Sequence, residues 1–181
     1  GHSLLSETRE FERGVTAAVN ASVQPLLERY VTRLRDELAA KGYAGDVLVM
    51  NGNGGMVSSK LVAREAAKTV MSGPASGVMA AAYTGRRADE ANLLTYDMGG
   101  TSTDVALIRD GKPAIDPAGA RVGAYRTMVE AVAMRTTGLG GDSEVHFLTE
   151  GLQGGVTLGP KRVLPVSLIA VDAPQVVHDA L

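Results

Sequence analysis

The chain has 181 residues, 18 Lys and Arg against 20 Asp and Glu, and no cysteine. With 45 % hydrophobic and 21 % charged residues it has ordinary globular composition, which fits one domain and excludes disorder and collagen. The balanced charge lacks the basic excess that a nucleic-acid binder needs, and no apolar run approaches the ~18 residues of a membrane span. No signal-peptide pattern is visible, and the absence of cysteine removes disulfide scaffolds, thiolate zinc sites and thiol nucleophiles, which suits a cytoplasmic protein. Glycine is enriched, 22 of 181 residues or about 12 % against a usual ~7 %, and it is gathered in short loops. The opening Gly1-His2-Ser3 reads as a cleavage scar, so the chain reads as a piece of something longer.

Over residues 8–41, Phe11, Val15, Val19, Val23, Leu26, Leu27, Tyr30, Leu34 and Leu38 recur at helical spacing and predict a long amphipathic helix that Gly42 stops. Pro25 removes one intrahelical hydrogen bond, so a kink or a division in two is expected there. Residues 46–50 predict a buried strand that ends in the loop Asn51-Gly-Asn-Gly-Gly55. Ser58 or Ser59 can cap a short helix through Ala67, and a further helix starts after Gly73-Pro74 and stops near Gly85. Its Ala75, Ser76, Gly77, Ala80, Ala81 and Ala82 leave room for close packing on a sheet.

From residue 93 the period changes. Residues 93–96 and 105–108 read as buried strands, Asp110-Gly111 as a hairpin turn into a third strand over 112–115, and residues 126–136 as a fourth strand. The loop Gly138-Leu-Gly-Gly141 then leads to Asp142-Ser143-Glu144, read as a helix start whose free N–H groups favour anions. Residues 156–168 alternate well enough for one or two strands.

The segment that points to chemistry is Asp97-Met-Gly-Gly-Thr-Ser-Thr-Asp104, set between two strands. Gly99 and Gly100 allow a turn tight enough for successive N–H groups to face one phosphate, and Thr101, Ser102 and Thr103 add hydroxyl donors. Asp97 and Asp104 cannot bind phosphate directly, but they can hold Mg²⁺ through its water shell or orient an attacking water. Gly140 and Gly141 form a second candidate anion loop. His2, His146 and His178 show no metal-ligand spacing.

Residues 97–104 resemble the second phosphate loop of the actin, sugar kinase and heat-shock ATPase superfamily, Asp-x-Gly-Gly-x-Thr/Ser-x-Asp before a β-hairpin. With Arg9-Glu-Phe-Glu-Arg13, Leu48-Val-Met-Asn-Gly-Asn-Gly-Gly55 and Met71-Ser-Gly-Pro-Ala-Ser-Gly77, the chain more specifically resembles the hydantoinase A / 5-oxoprolinase family. The resemblance implies an α/β fold of ribonuclease-H-like, actin-like ATPase type, a mixed sheet with the hairpin 93–115 at its centre and helices on both faces. It implies a single domain over 4–181 within a larger protein, with 4–90 helical and connecting and 91–181 carrying the phosphate-loop hairpin and sheet. It also implies ATP and Mg²⁺ as cofactors, with Asp97 and Asp104 as catalytic and metal-holding residues. Gly99, Gly100, Thr101, Ser102, Thr103, Gly140 and Gly141 then contact the nucleotide.

Members use ATP to activate a cyclic amide carbonyl by phosphorylating its oxygen, and commonly work with a hydantoinase B-type partner. The upstream phosphate loop of the family does not occur in these residues, so the resemblance implies a middle fragment carrying half an ATP site. Typical members have Asp-x-His before the glycine run; this chain has Ala133-Met134-Arg135, and a role attached to that pair does not carry over. An acetone-carboxylase-type subunit, a kinase of the same superfamily, and a nucleotide-dependent switch are the alternatives.

Overall fold

A computed structural model describes residues 2, 4–148 and 154–180; Gly1 and Ser3 of the opening tripeptide lie outside the described residues. The chain forms two compact units, one made of Gly1–Thr95 and Ala106–Met134, the other of Tyr96–Val105 and Arg135–Leu181.

The first unit opens with α1, Glu10–Ala40, which runs unbroken past Pro25. Glu10 and Glu12 in its first turn complement the helix dipole, and Gly42 lies just beyond its end at φ +86°, the left-handed conformation that closes helices. The face it buries differs from the apolar stripe read in the sequence. Thr16, Asn20 and Val31 are buried, whereas Phe11 is 81 % exposed and Leu26 and Tyr30 are exposed as well. Hydrogen bonds direct the packing here. Asn20 Oδ1 accepts from the Ala67 N–H at 2.9 Å and its amide donates to the Arg64 carbonyl, while Thr16 Oγ1 accepts from the Met128 N–H at 2.9 Å.

The strand expected at 46–50 is shorter and less buried. Leu48–Met50 (β1) pairs antiparallel with Met56–Ser58 (β2) across the asparagine-glycine loop, with Leu48 exposed. Ser58 then caps the short helix Ser59–Val62 (α2), its side chain accepting from the Lys60 N–H, and a 3₁₀ segment Ala63–Thr69 follows. Helix α3, Ser72–Arg87, begins slightly earlier than expected, with Pro74 in the first turn where no intrahelical N–H is needed. Its Ala75, Val78 and Ala82 form the core of this unit with Ala106, Ile108 and Val132. The small side chains make that approach possible: a Cβ on Gly85 would lie 2.4 Å from Leu93 Cδ1.

Strands β3 (Leu93–Met98) and β4 (Thr103–Arg109) are both longer than expected. The third strand divides into Lys112–Pro113 (β5), paired with β4, and Ile115–Asp116 (β6). The expected strand 126–136 is also broken. Arg121–Val122 (β7) pairs with Tyr125–Arg126 (β8), Ala131–Val132 (β9) pairs with β6, and Met134–Thr137 (β10) joins a four-stranded sheet of order β10-β4-β3, with β5 on β4. The second unit continues with Ser143–Leu148 (β11), paired antiparallel with Gly155–Arg162 (β12), and ends in the short helices Val166–Asp172 (α4) and Pro174–Ala180 (α5). Among the described residues no helix is long and apolar enough to cross a membrane.

Replacing Asn20 with Ala strips the buried Ala67 N–H of its acceptor. Denaturant unfolding should show a loss of about 1–3 kcal/mol, the cost of an unsatisfied buried donor. An unchanged midpoint would mean that Asn20 does not anchor α1.

Candidate functional site

The second unit holds all of residues 97–104. Strand β3 delivers Asp97 and Met98, and β4 resumes at Thr103, so Gly99, Gly100, Thr101 and Ser102 make the connection. The Gly99 N–H donates to the Ser102 carbonyl at 2.9 Å and closes the turn. A second glycine loop is docked on this turn through its backbone. The N–H groups of Gly141 and Asp142 donate to the carbonyls of Gly99 and Gly100, each at 2.9 Å, and Thr103 Oγ1 donates to the Leu139 carbonyl at 2.6 Å.

Only glycine permits this approach. A Cβ on Gly140 would lie 2.4 Å from the carbonyl carbon and oxygen of Gly100 and 2.5 Å from the Thr101 nitrogen, all backbone atoms. At Gly141 the nearest atom would be the Gly99 oxygen at 3.9 Å, an ordinary contact. The two glycines therefore do different things. The Gly140 N–H is itself taken by Ser143 Oγ at 2.9 Å, and the Ser143 N–H returns to the Gly140 carbonyl at 3.0 Å.

These bonds engage the carbonyls of Gly99 and Gly100, while the N–H groups of Gly100, Thr101 and Ser102 take no part in them. Three successive donors on an exposed turn suit an anion. The hydroxyls divide: Thr101 is exposed and Ser102 half-buried, whereas Thr103 is buried and spends its hydroxyl on Leu139. Asp97 is exposed at the end of β3. Asp104 is half-buried, and its Oδ1 accepts from Thr136 Oγ1 at 2.5 Å. Among the described residues no group of three or more His, Asp and Glu could hold a metal ion by itself. A hard cation at this loop would draw on phosphate oxygens and water for most of its ligands, which matches the way magnesium is ordinarily held.

The helix expected at Asp142-Ser143-Glu144 is not formed: these residues lead into strand β11. The reason lies just downstream, where Val145, His146, Phe147 and Leu148 favour an extended strand and pair with β12. No helix terminus therefore faces an anion there. Sequence reasoning missed Thr136, which holds Asp104 from β10, and Arg162, whose guanidinium pairs with the Asp142 carboxylate from the end of β12. Arg162 is twenty residues from its partner, and nothing local in the sequence signals the pairing.

The sequence profile described as hydantoinase/oxoprolinase matches residues 13–169. The chain belongs to the hydantoinase/oxoprolinase family. It is 35 % identical over 132 residues to the acetone carboxylase beta subunit of Xanthobacter autotrophicus, covering 72 % of this chain and 17 % of that protein. It is 32 % identical over 146 residues to the acetophenone carboxylase gamma subunit of Aromatoleum aromaticum, covering 77 % and 18 %. With the caprolactamase alpha subunit of Pseudomonas jessenii it shares 29 % identity over 161 residues, covering 89 % and 23 %. A nucleotide-free acetone carboxylase structure, from work on ATP-dependent acetone carboxylation, superposes with a TM-score of 0.61 at 31 % identity, over 75 % of this chain and 18 % of that one. The chain thus spans less than a quarter of the length of each of these relatives.

The contrast between the two glycines is testable. Gly140→Ala should displace the turn and destabilise the second unit by about 1–3 kcal/mol, the usual cost of forced overpacking, while Gly141→Ala should be close to neutral. Thermal melts of both variants read this directly, and equal effects would contradict the backbone contact described.

Proposed function

We propose that this chain is part of a longer ATP-dependent enzyme that opens the ring of a cyclic amide, a hydantoin or a related lactam, with residues 97–104 forming one half of the Mg-ATP site. The observation that carries the reading is the turn 99–102, where the carbonyls of Gly99, Gly100 and Ser102 accept backbone hydrogen bonds while, among the described residues, the N–H groups of Gly100, Thr101 and Ser102 donate none. The β3–β4 hairpin carrying this turn and the packing of α3 on β4 support a ribonuclease-H-like, actin-like ATPase fold.

In this reading the free amides and the Thr101 and Ser102 hydroxyls bind the β- and γ-phosphate oxygens. Asp97 and Asp104 hold magnesium through water, and the Thr136 hydroxyl keeps the Asp104 carboxylate in one orientation. Gly140, Gly141 and Thr103 serve the nucleotide by fixing the shape of the turn. When bound, ATP would phosphorylate the oxygen of a poorly electrophilic amide carbonyl, which makes its carbon electrophilic enough for water to add and the ring C–N bond to break with the nitrogen leaving as an amine, a second water then releasing the phosphate. The residues described here contribute positioning and charge compensation, which carry most of the catalysis in phosphoryl transfer. Relatives named as subunits, caprolactamase alpha and acetone carboxylase beta, support a partner subunit of hydantoinase B type.

A second reading makes the acceptor a ketone in a carboxylase. It is favoured by the 35 % identity to the acetone carboxylase beta subunit and by the structural superposition on acetone carboxylase. Both readings place a carbonyl compound against the same ATP half-site. ATP hydrolysis by the full-length protein, measured with hydantoin or a lactam and separately with acetone and bicarbonate, separates them. Stimulation by the cyclic amide alone supports the first reading, and stimulation by acetone with bicarbonate alone supports the second.

In the full-length protein, Asp104→Ala should lower ATP turnover by about a hundredfold or more, the scale on which removing a preorganised electrostatic contact acts, with the melting temperature little changed. Unchanged turnover would remove Asp104 from the mechanism.

A further inference from the structure

The phosphate loop as described has donors but no positive charge. Its side chains are two carboxylates and three hydroxyls, and a nucleoside triphosphate brings several negative charges to it. Neutral amides can bind its oxygens and a magnesium held by the two carboxylates would offset part of that charge, and a loop of this composition still gains from a protein cation within contact distance.

The second unit places one there. Arg162, the last residue of β12, extends its guanidinium to Asp142, and Asp142 lies against Gly100: a Cβ on Gly100 would sit 2.5 Å from Asp142 Oδ2 and 3.5 Å from Arg162 Nη2. The neighbouring Lys161 is directed instead to Glu144, at 3.8 Å. Asp142 is largely buried, with 16 % of its side chain accessible, and its N–H is committed to the Gly100 carbonyl, so the carboxylate is fixed to the turn. The Arg162 side chain is 54 % accessible and keeps most of its five N–H donors for another partner.

We infer that Arg162 is the charged phosphate ligand of this site, held by Asp142 beside Gly100 until a triphosphate oxygen takes up its free donors. The inference rests on the reading of residues 97–104 as a phosphate loop. It adds a specificity-determining residue: a guanidinium at the turn favours nucleotides with a polyphosphate chain over those with a single phosphate. Asp142 is the positioning residue. An arginine suits the task because its planar fork can serve a carboxylate with one edge and a phosphate with the other.

The test is calorimetric titration of the full-length protein with ATP, ADP and AMP, each with Mg²⁺, at two salt concentrations, with thermal melts as a fold control. Arg162→Gln should weaken ATP binding by roughly tenfold to a hundredfold, as loss of one charge-assisted hydrogen bond does, should affect AMP much less, and should flatten the salt dependence. Arg162→Lys should recover part of the affinity. Asp142→Asn separates the charge from the scaffold, since it keeps the backbone bond to Gly100 and releases the guanidinium. If Arg162 binds phosphate, the loss in Arg162→Gln is largest for ATP and smallest for AMP, and Asp142→Asn, which frees the guanidinium from its place, shows a smaller loss of the same pattern; if the pair is only a structural latch, both variants lose affinity for all three nucleotides alike and the inference fails. Wild-type affinity for all three nucleotides in Arg162→Gln also overturns it. Absence of ATP binding by the wild-type protein overturns the phosphate-loop reading itself, an outcome distinct from the failure of Arg162 alone.

Discussion

The second unit depends on a backbone contact that only glycine permits. Gly140 lies so close to the carbonyl of Gly100 that any side chain at position 140 would meet backbone, which cannot swing aside. Two hydrogen bonds, from the Gly141 and Asp142 N–H groups to the Gly99 and Gly100 carbonyls, hold the loops together. The contact orients the turn as well as fixing it. With the Gly99 and Gly100 carbonyls drawn toward the second loop, the Gly100, Thr101 and Ser102 amides are, in the proposed reading, the donors that meet the phosphate. Preorganised donors of this kind bind an anion without first giving up a bond to the protein.

Polar side chains are built into the same arrangement by the alternation of the strands. Thr103 sends its hydroxyl to the Leu139 carbonyl, while Asp104, next along β4, meets the hydroxyl of Thr136. Neighbouring residues on a strand point to opposite faces, so one threonine is spent on architecture while the adjacent carboxylate meets a different partner. The run Thr101-Ser102-Thr103 is uniform in sequence, yet its third hydroxyl is buried and committed.

Much of this was legible in the residues. The turn between two strands at Asp97 to Asp104 was legible because its paired glycines sit between two apolar runs, and the small-residue face of α3 announced its close packing. The long helix was legible in extent but not in its buried face: Thr16 and Asn20 are selected by backbone groups near residues 67 and 128, which hydrophobic periodicity does not report. The helix expected after Gly141 does not form because the extended preference of Val145 to Leu148, whose strand is set by pairing with β12, outweighs the acidic start. Arg162 was out of reach for a similar reason. Its partner is defined by the return of that hairpin.

The family accommodates relatives named for ring amides and relatives named for ketones, and the geometry around Gly100 is compatible with both, because an ATP site needs only an acceptor oxygen in line with the terminal phosphate. Both proposed readings require a nucleotide at the turn 99–102. Hydrogen exchange of the full-length protein, with and without saturating Mg-ATP, tests that most directly. Slowed exchange at the Gly100, Thr101 and Ser102 amides is the predicted result. Unchanged exchange at these three amides, with protection appearing only elsewhere in the protein, would contradict it.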